Sequence, residues 1–315
     1  MSEIKYVAVL GPGIIGSSFA LVFARAGVNV RVWERREKKT ALERIETLVR
    51  NLEATGLEGD GRTLQRVSVF SSIAETVEGA DYLQEAVVEN LEVKKRLFED
   101  VERYALASAI LASSTSGLLP SQMAGDLAHP ERFLVAHPLT PPHLLPAVEV
   151  CPSPRTSPEV VTATMDLMKR VGQRPILIRK EIVGFALNRV LGAIMNEFFA
   201  LIDDGVLEAD DVDAALTEGF GLRWSAIGPL AAMDLNAPGG IRDYLGRYGS
   251  VFNEVARSRG ATPALKEDII DKISAAVERL YARQGRAARA AHRDRAIAEI
   301  RRRRSGLSKP RGKTS

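Results

Sequence analysis

The chain has 315 residues, 45% of them apolar and 26% charged, which suits one large or two ordinary globular domains with a sizeable core. Its formal charge of +3 sits at one end: residues 301–315 hold seven cations and no acid, and without them 36 cations face 40 acids, a formal charge of −4. The body is therefore not basic enough for a nucleic-acid binder, and the tail over 301–315 reads as solvated and frayed. Cys151 is the single cysteine, so an intramolecular disulfide is excluded and a reducing, cytoplasmic setting is expected. No signal peptide precedes the first strand pattern, and no apolar window is long enough for a membrane span. The most apolar stretch, Phe185–Ile202, is broken by Asn188, Arg189, Asn196 and Glu197.

In chain order, Tyr6–Leu10 predicts a buried strand, Gly16–Ala26 a helix, Val28–Trp33 a second strand and Arg36 to about Leu52 a helix with a charged outer face. Gly56–Arg62, rich in glycine and acids, predicts a turn or loop. Further strands are expected at Val67–Phe70, Tyr82–Ala86, Ile110–Ser113, Phe133–Ala136, Val148–Cys151 and Pro175–Ile178, with helices at Leu91–Ala105 and Pro158–Val171. Alternating β and α units imply a mostly parallel sheet covered on both faces. Near Glu181 the pattern changes. Apolar residues recur at helical spacing through Val183–Gly205, Glu208–Glu218, Ile227–Met233, Ile241–Arg257 and Leu265–Ile300. The expectation is an α/β domain over 1–180, an all-α domain over 181–300 and the basic tail over 301–315.

The segment Gly11-Pro12-Gly13-Ile14-Ile15-Gly16 follows the first strand and opens the first helix. Its glycines have G-x-G-x-x-G spacing: Gly11 for the tight turn, Gly13 for close approach of the backbone to a pyrophosphate, Gly16 for close packing of helix on sheet. Free N–H groups at the helix start would bind the phosphates. The second strand ends in Glu34, where a carboxylate can hold ribose hydroxyls, and its charge disfavours a 2′-phosphate. Together these predict a Rossmann-type nucleotide domain that takes NAD. Arg35 and Arg36 either contact a 2′-phosphate or form a solvated helix start. No His, Cys or Asp cluster has metal-ligand spacing, so no metal is expected.

A second block is Val135-Ala136-His137-Pro138-Leu139-Thr140-Pro141-Pro142, followed by Val148-Glu149-Val150. A histidine ending a strand of a parallel sheet points into the crevice where cofactor and substrate meet, and a carboxylate on the neighbouring strand can fix its tautomer. His143, in the same proline-rich stretch, is a further candidate for substrate contact, whereas His129 and His292 read as surface residues. Taken alone, a histidine such as His137 is more often structural.

With these blocks the chain resembles the 3-hydroxyacyl-CoA dehydrogenase family over nearly its whole length. The resemblance is carried by the His137–Glu149 spacing, by Thr115-Ser116, by Glu89-Asn90-Leu91-Glu92-Val93-Lys94 and by Gly184-Phe185-Ala186-Leu187-Asn188-Arg189, together with the glycine loop. Within the family, Gly221-Leu222-Arg223-Trp224 and Ile227-Gly228-Pro229-Leu230 look most like the branch that oxidises L-gulonate at its 3-hydroxyl; bacterial carnitine dehydrogenases are similar at Arg223-Trp224. Relatives usually carry asparagine where this chain has Thr140.

The resemblance implies that His137 takes the proton of a substrate 3-hydroxyl and that Glu149 steadies the imidazolium. It implies that Ser116 and Asn188 hydrogen-bond the reacting oxygen, that Glu89 and Lys94 belong to the cofactor side, and that Thr140 and Arg223 contact substrate. It further implies a homodimer formed through the helical domain. On the residues alone Ser116 is a turn serine, Asn188 a helix cap, Glu89 and Lys94 a helix-start charge pair, and Arg223 a cap or surface arginine. Three readings stay open: a small L-3-hydroxy acid as substrate, a 3-hydroxyacyl-CoA as substrate, or a dinucleotide-binding protein without turnover.

Overall fold

The structure, a computed structural model, describes residues 4–35, 37–53, 61–258 and 286–307, with isolated positions between 267 and 279. Arg36, most of the expected Gly56–Arg62 turn and part of the expected Leu265–Ile300 helix lie outside the described residues. The chain divides into two compact units, Met1–Arg189 with Ile297–Glu299, and Val190–Ala296 with Ile300–Ser315.

The first unit carries an eight-stranded sheet in the order β3-β2-β1-β4-β5-β6-β7-β8. The strands are β1 (Tyr6–Leu10), β2 (Asn29–Trp33), β3 (Val67–Phe70), β4 (Tyr82–Glu85), β5 (Ile110–Ser113), β6 (Phe133–Pro138), β7 (Ala147–Pro152) and β8 (Arg174–Leu177). The strands from β3 through β6 pair in parallel. Between them run α1 (Ile14–Arg25), α2 (Lys38–Glu53), α3 (Ile73–Val77), α4 (Leu91–Glu102) and α5 (Pro120–Ala124), and α6 (Pro158–Arg170) links β7 to β8.

One element departs from a simple βα repeat. No helix fits between β6 and β7, because Leu139–Pro146 is a short proline-containing loop, so the chain turns back and β7 pairs antiparallel to β6. β8 pairs parallel to β7.

Burial on both faces explains the near-continuous apolar strands. In β1, Val7 and Val9 join a core with Phe19, Phe23 and Met168 on one face. Ala8 and Leu10 join a core with Phe98, Phe133 and Met123 on the other. This is period-2 alternation placed between two helical layers. The parallel strands end along one sheet edge, at Leu10, Trp33, Glu85, Ser113 and Pro138.

After β8 the described chain is helical, as expected. α7 (Leu187–Asp203) begins in the first unit and runs into the second. The expected helix over Glu208–Glu218 is broken instead. A 3-10 turn at Ala209–Asp211 and a helical turn at Val212–Ala214 lead into a widened π-turn over Ala215–Gly221, in which Gly219 has non-helical dihedrals (φ −98°, ψ −105°). Two glycines in three positions remove the side chains that would hold regular α geometry. Helices follow at Leu222–Ala226, Pro229–Leu235 and Gly240–Ser258. The last helix runs Arg286–Leu307. It extends past the expected helix end at Ile300, since arginine is a good helix former and the basic run continues the helix. Residues 308–315 lie outside the described residues.

Candidate active site

The glycine loop is built by sterics. Gly11 has φ 98°, in the left-handed region, and a Cβ there would stand 3.0 Å from the Ala86 carbonyl oxygen. A Cβ on Gly16 would stand 1.9 Å from the Gly11 carbonyl oxygen, so only glycine lets α1 start this close to the loop. At Gly13 the nearest atom to an added Cβ is 4.0 Å away, which leaves open space at the N-cap of α1. No side chain caps that helix, and Ile14 is 71% exposed. The first-turn N–H groups of Ile14 and Ile15 therefore face a space that a pyrophosphate fits.

A cleft beside the loop is lined by Pro12, Trp33, Glu34, Arg35 and Val87 among others. Glu34 is half-buried and Arg35 exposed. Arg44, reaching from α2, donates to the Pro12 carbonyl, as does Ser17 Oγ at 3.0 Å. Arg44 had no signature in the sequence beyond its helical position. The loop, the uncapped helix and the acid at the end of β2 fit a nicotinamide dinucleotide.

Farther along the same edge, His137 and Glu149 are directly opposed across the antiparallel β6–β7 pair. Opposed residues project to the same face with Cβ atoms about 4.5–5.5 Å apart. The outcome is a bond of 2.8 Å between His137 Nδ1 and Glu149 Oε2. His137 is 5% exposed and Glu149 fully buried. Glu149 Oε1 accepts the N–H groups of Ala186 and Leu187 at 2.7 and 2.9 Å. Burial alone would raise the Glu149 carboxyl; the His137 bond and the two amides outweigh it and hold the pKa below the usual carboxylate range. Glu149 thus stays ionised, keeps the proton on Nδ1, and leaves Nε2 as the ring nitrogen able to accept a proton.

Asn188 and Ser116 also meet, though through Asn188 Nδ2 donating to the Ser116 carbonyl at 2.9 Å. The Ser116 side chain is exposed. Its N–H donates to Glu89 Oε1 at 2.9 Å, and the Thr115 hydroxyl donates to the same oxygen at 2.5 Å. Those bonds, with Lys94, outweigh burial and lower the Glu89 pKa.

Lys94 is 1% exposed, and its ammonium lies 2.6 Å from Glu85 Oε1 and 3.3 Å from Glu89 Oε2. Sequence reasoning took Lys94 with Glu89 and missed Glu85, its nearer partner. Glu85 ends β4 with no exposure, accepts the Val87 N–H at 2.7 Å and receives the Ser113 hydroxyl at 2.5 Å. Burial raises its pKa, and these donors act against the rise. An acid inside the apolar run Tyr82–Ala86 was the signal that could have found it.

Thr140 is exposed just past β6. His143 is corrected. It is 4% exposed and its Nδ1 lies 3.0 Å from Ser18 Oγ of α1, so it packs the loop against that helix and is not presented to substrate. His129 and His292 are surface residues, as expected. Arg223 belongs to the second unit. It is exposed and lies in the helix Leu222–Ala226, just after the π-turn.

A glycine loop on a parallel sheet, an acid at the end of β2 and a buried His–Glu pair on the same edge define a nicotinamide-dependent dehydrogenase. The chain belongs to the 3-hydroxyacyl-CoA dehydrogenase family: the family's NAD binding domain matches residues 6–182 and its C-terminal domain residues 184–273. NAD is the cofactor. A lambda-crystallin homolog of Bos taurus is 41% identical over 277 residues, covering 86% of this chain and 86% of that protein. An L-carnitine dehydrogenase of a Pseudomonas species is 35% identical over 276 residues, 87% of this chain and 85% of that one. Among solved structures, 5-formyl-3-hydroxy-2-methylpyridine 4-carboxylic acid 5-dehydrogenase, an NAD+ dependent dismutase, superposes with a TM-score of 0.82 at 26% identity, covering 96% of this chain and 99% of that one.

Proposed function

We propose that this dehydrogenase oxidises the 3-hydroxyl of a small, free L-3-hydroxy acid of the L-gulonate kind. The observation that carries the reading is the buried His137–Glu149 pair at the end of β6. NAD, when bound, supplies the hydride acceptor. His137 Nε2 takes the hydroxyl proton, Glu149 stabilises the imidazolium, and Asn188 and Ser116 hydrogen-bond the oxygen on which charge shifts. Two of the similar proteins support a substrate with a free carboxylate, since carnitine and a pyridine carboxylic acid both carry one. The test is NADH formation over a panel of L-gulonate, L-carnitine, L-3-hydroxybutyrate and L-3-hydroxybutyryl-CoA. Preference for the thioester by kcat/KM would return the enzyme to the acyl-CoA branch, and no turnover on any of them would favour a binding protein.

Glu34 should set the cofactor preference. Its carboxylate would meet a 2′-phosphate with repulsion, so kcat/KM for NAD should exceed that for NADP by at least about tenfold, the ratio that 1.4 kcal/mol produces. Equal use of the two would hand that role to Arg35.

Arg223 is our candidate for the substrate carboxylate. Support comes from its exposed guanidinium beside a π-turn, a feature frequent at functional sites. A guanidinium fork holds a carboxylate by two parallel hydrogen bonds. Arg223→Met should raise KM for the free acid by about tenfold or more, because charge-assisted bonds contribute about 1.5–3 kcal/mol. Turnover of a hydroxyacyl-CoA should change little. An equal loss on both substrates would assign Arg223 a structural role.

The enzyme is further proposed to be a homodimer through its helical unit. None of the 19 residues of the helix Gly240–Ser258 is buried, and Leu245, Tyr248, Val251, Phe252 and Val255 are exposed. Tyr248, Val251, Phe252 and Val255 recur at i, i+3, i+4 and i+7, one helix stripe. A second copy of the same stripe is self-complementary about a two-fold axis. Light scattering should give twice the chain mass of 34.3 kDa, and Phe252→Glu should halve it. A wild-type monomer would refute the assignment. Among the described residues no helix is long and apolar enough to cross a membrane. A cytoplasmic location remains part of the proposal and rests on the single cysteine.

A further inference from the structure

Phe185 has a backbone that its side chain does not favour. With φ 47° it is the one non-glycine residue at positive φ among those described, and it follows Gly184 at φ 76°. A bulky residue rarely enters this region. Its ring is fully buried, and the ring centroid lies 5.6 Å from that of His137 at an interplanar angle of 44°.

The left-handed turn at Phe185 also aims the chain that follows. The N–H groups of Ala186 and Leu187 meet Glu149 Oε1 at 2.7 and 2.9 Å, while Glu149 Oε2 holds His137 Nδ1 at 2.8 Å. The carboxylate is gripped at both oxygens. One residue therefore touches both halves of the arrangement: its backbone directs the donors that fix the acid, and its ring backs the imidazole. Strained backbone of this kind persists only where the surroundings over-determine it. The surroundings here are an apolar core that includes Val135 and Cys151, and the dyad beside it.

We propose that Phe185 is a positioning residue for the His137–Glu149 pair, fixing the tilt and tautomer of the imidazole through its ring and its left-handed turn. The proposal rests on the reading of His137 as the base. Without the ring the imidazole gains room to tilt, and without the turn Glu149 loses two of its three donors. A displacement of about 1 Å in such a group can cost roughly a hundredfold in rate.

The test uses the full chain with ¹⁵N-labelled histidine, free of substrate. His137 is assigned among the four histidines by its absence in His137→Gln. Wild-type protein should show a single tautomer with the proton on Nδ1. In Phe185→Ala the two tautomers should mix, NADH affinity should stay within about twofold, and kcat on L-gulonate should fall by roughly 10- to 100-fold with KM little changed. If the alanine variant does not fold, Phe185→Leu, which keeps an apolar filling but no ring, is read by the same signal. A single Nδ1–H tautomer retained in the folded variant overturns the proposal. Should the wild type turn over neither L-gulonate nor L-3-hydroxybutyryl-CoA, the functional reading fails on its own, and the imidazole signal still decides the role of Phe185.

Discussion

Replacing His137 by alanine should lower kcat by roughly 10²–10⁴-fold, the range that general acid–base help contributes, while NADH binding stays intact. The separation follows from geometry. In the proposed function the nucleotide is met by the glycine loop, the first turn of α1 and the end of β2, whereas the imidazole stands at the end of β6. Glu149→Gln should give a smaller loss and a distorted pH profile, because a neutral amide can neither hold the proton on Nδ1 by charge nor stabilise the imidazolium. Stopped-flow turnover beside a fluorescence titration with NADH checks both variants. Retention of more than about a tenth of wild-type kcat in His137→Ala would exclude a general-base role of the usual size.

Glu85→Ala should lower stability markedly. It strips the Lys94 ammonium, 1% exposed, of its contact at 2.6 Å and leaves Glu89 at 3.3 Å and the Val87 carbonyl at 3.5 Å. Leaving a buried charge without its partner costs about 3–5 kcal/mol. The surviving Glu89 contact places this case near the lower end. For a unit of this size that is a drop in Tm of about 6–12 °C. A double change, Glu85→Leu with Lys94→Met, should recover most of the loss, since two apolar groups of similar volume replace two charges that both had to be desolvated. Calorimetry on the three proteins decides. A shift under about 2 °C for Glu85→Ala would mean that the buried pair contributes little to stability.

The parts legible in the sequence were those fixed by local chemistry. The strand, glycine loop, helix and terminal acid of the nucleotide site each have a sterically forced residue type, and Gly16, with no room for a Cβ, is the strongest of them. The central strands were legible because burial on both faces keeps β1, β5 and β6 largely apolar. The His137–Glu149 partnership was readable as two neighbouring strands, but its directness depended on the strands being antiparallel, which the helix-free loop between them implies. What stayed hidden were contacts between residues whose identities say nothing until the chain is folded. Glu85 looked like one more residue of a strand, Phe185 like one apolar residue of a helix start, and His143 like a candidate by its neighbourhood in sequence. The π-turn at Ala215–Gly221 was masked because its apolar spacing still reads as an ordinary helix until the two glycines relax it.

The reversal of direction between β6 and β7 has a consequence for how this scaffold diversifies. In a hairpin, the dyad is held by strand register, and register is enforced along the full length of both strands by which face is buried. The eight-residue connection Leu139–Pro146 helps to set that register by its length, while its exposed positions Leu139 and Thr140 lie outside the paired strands. In the proposed function, chemistry and recognition are thus written on separate stretches of one short segment. On the proposed reading Thr140, exposed just past β6, is a position of the second kind: a change there alters what a substrate meets at the mouth of the site and leaves the alignment of the proposed base, His137, with Glu149 in place.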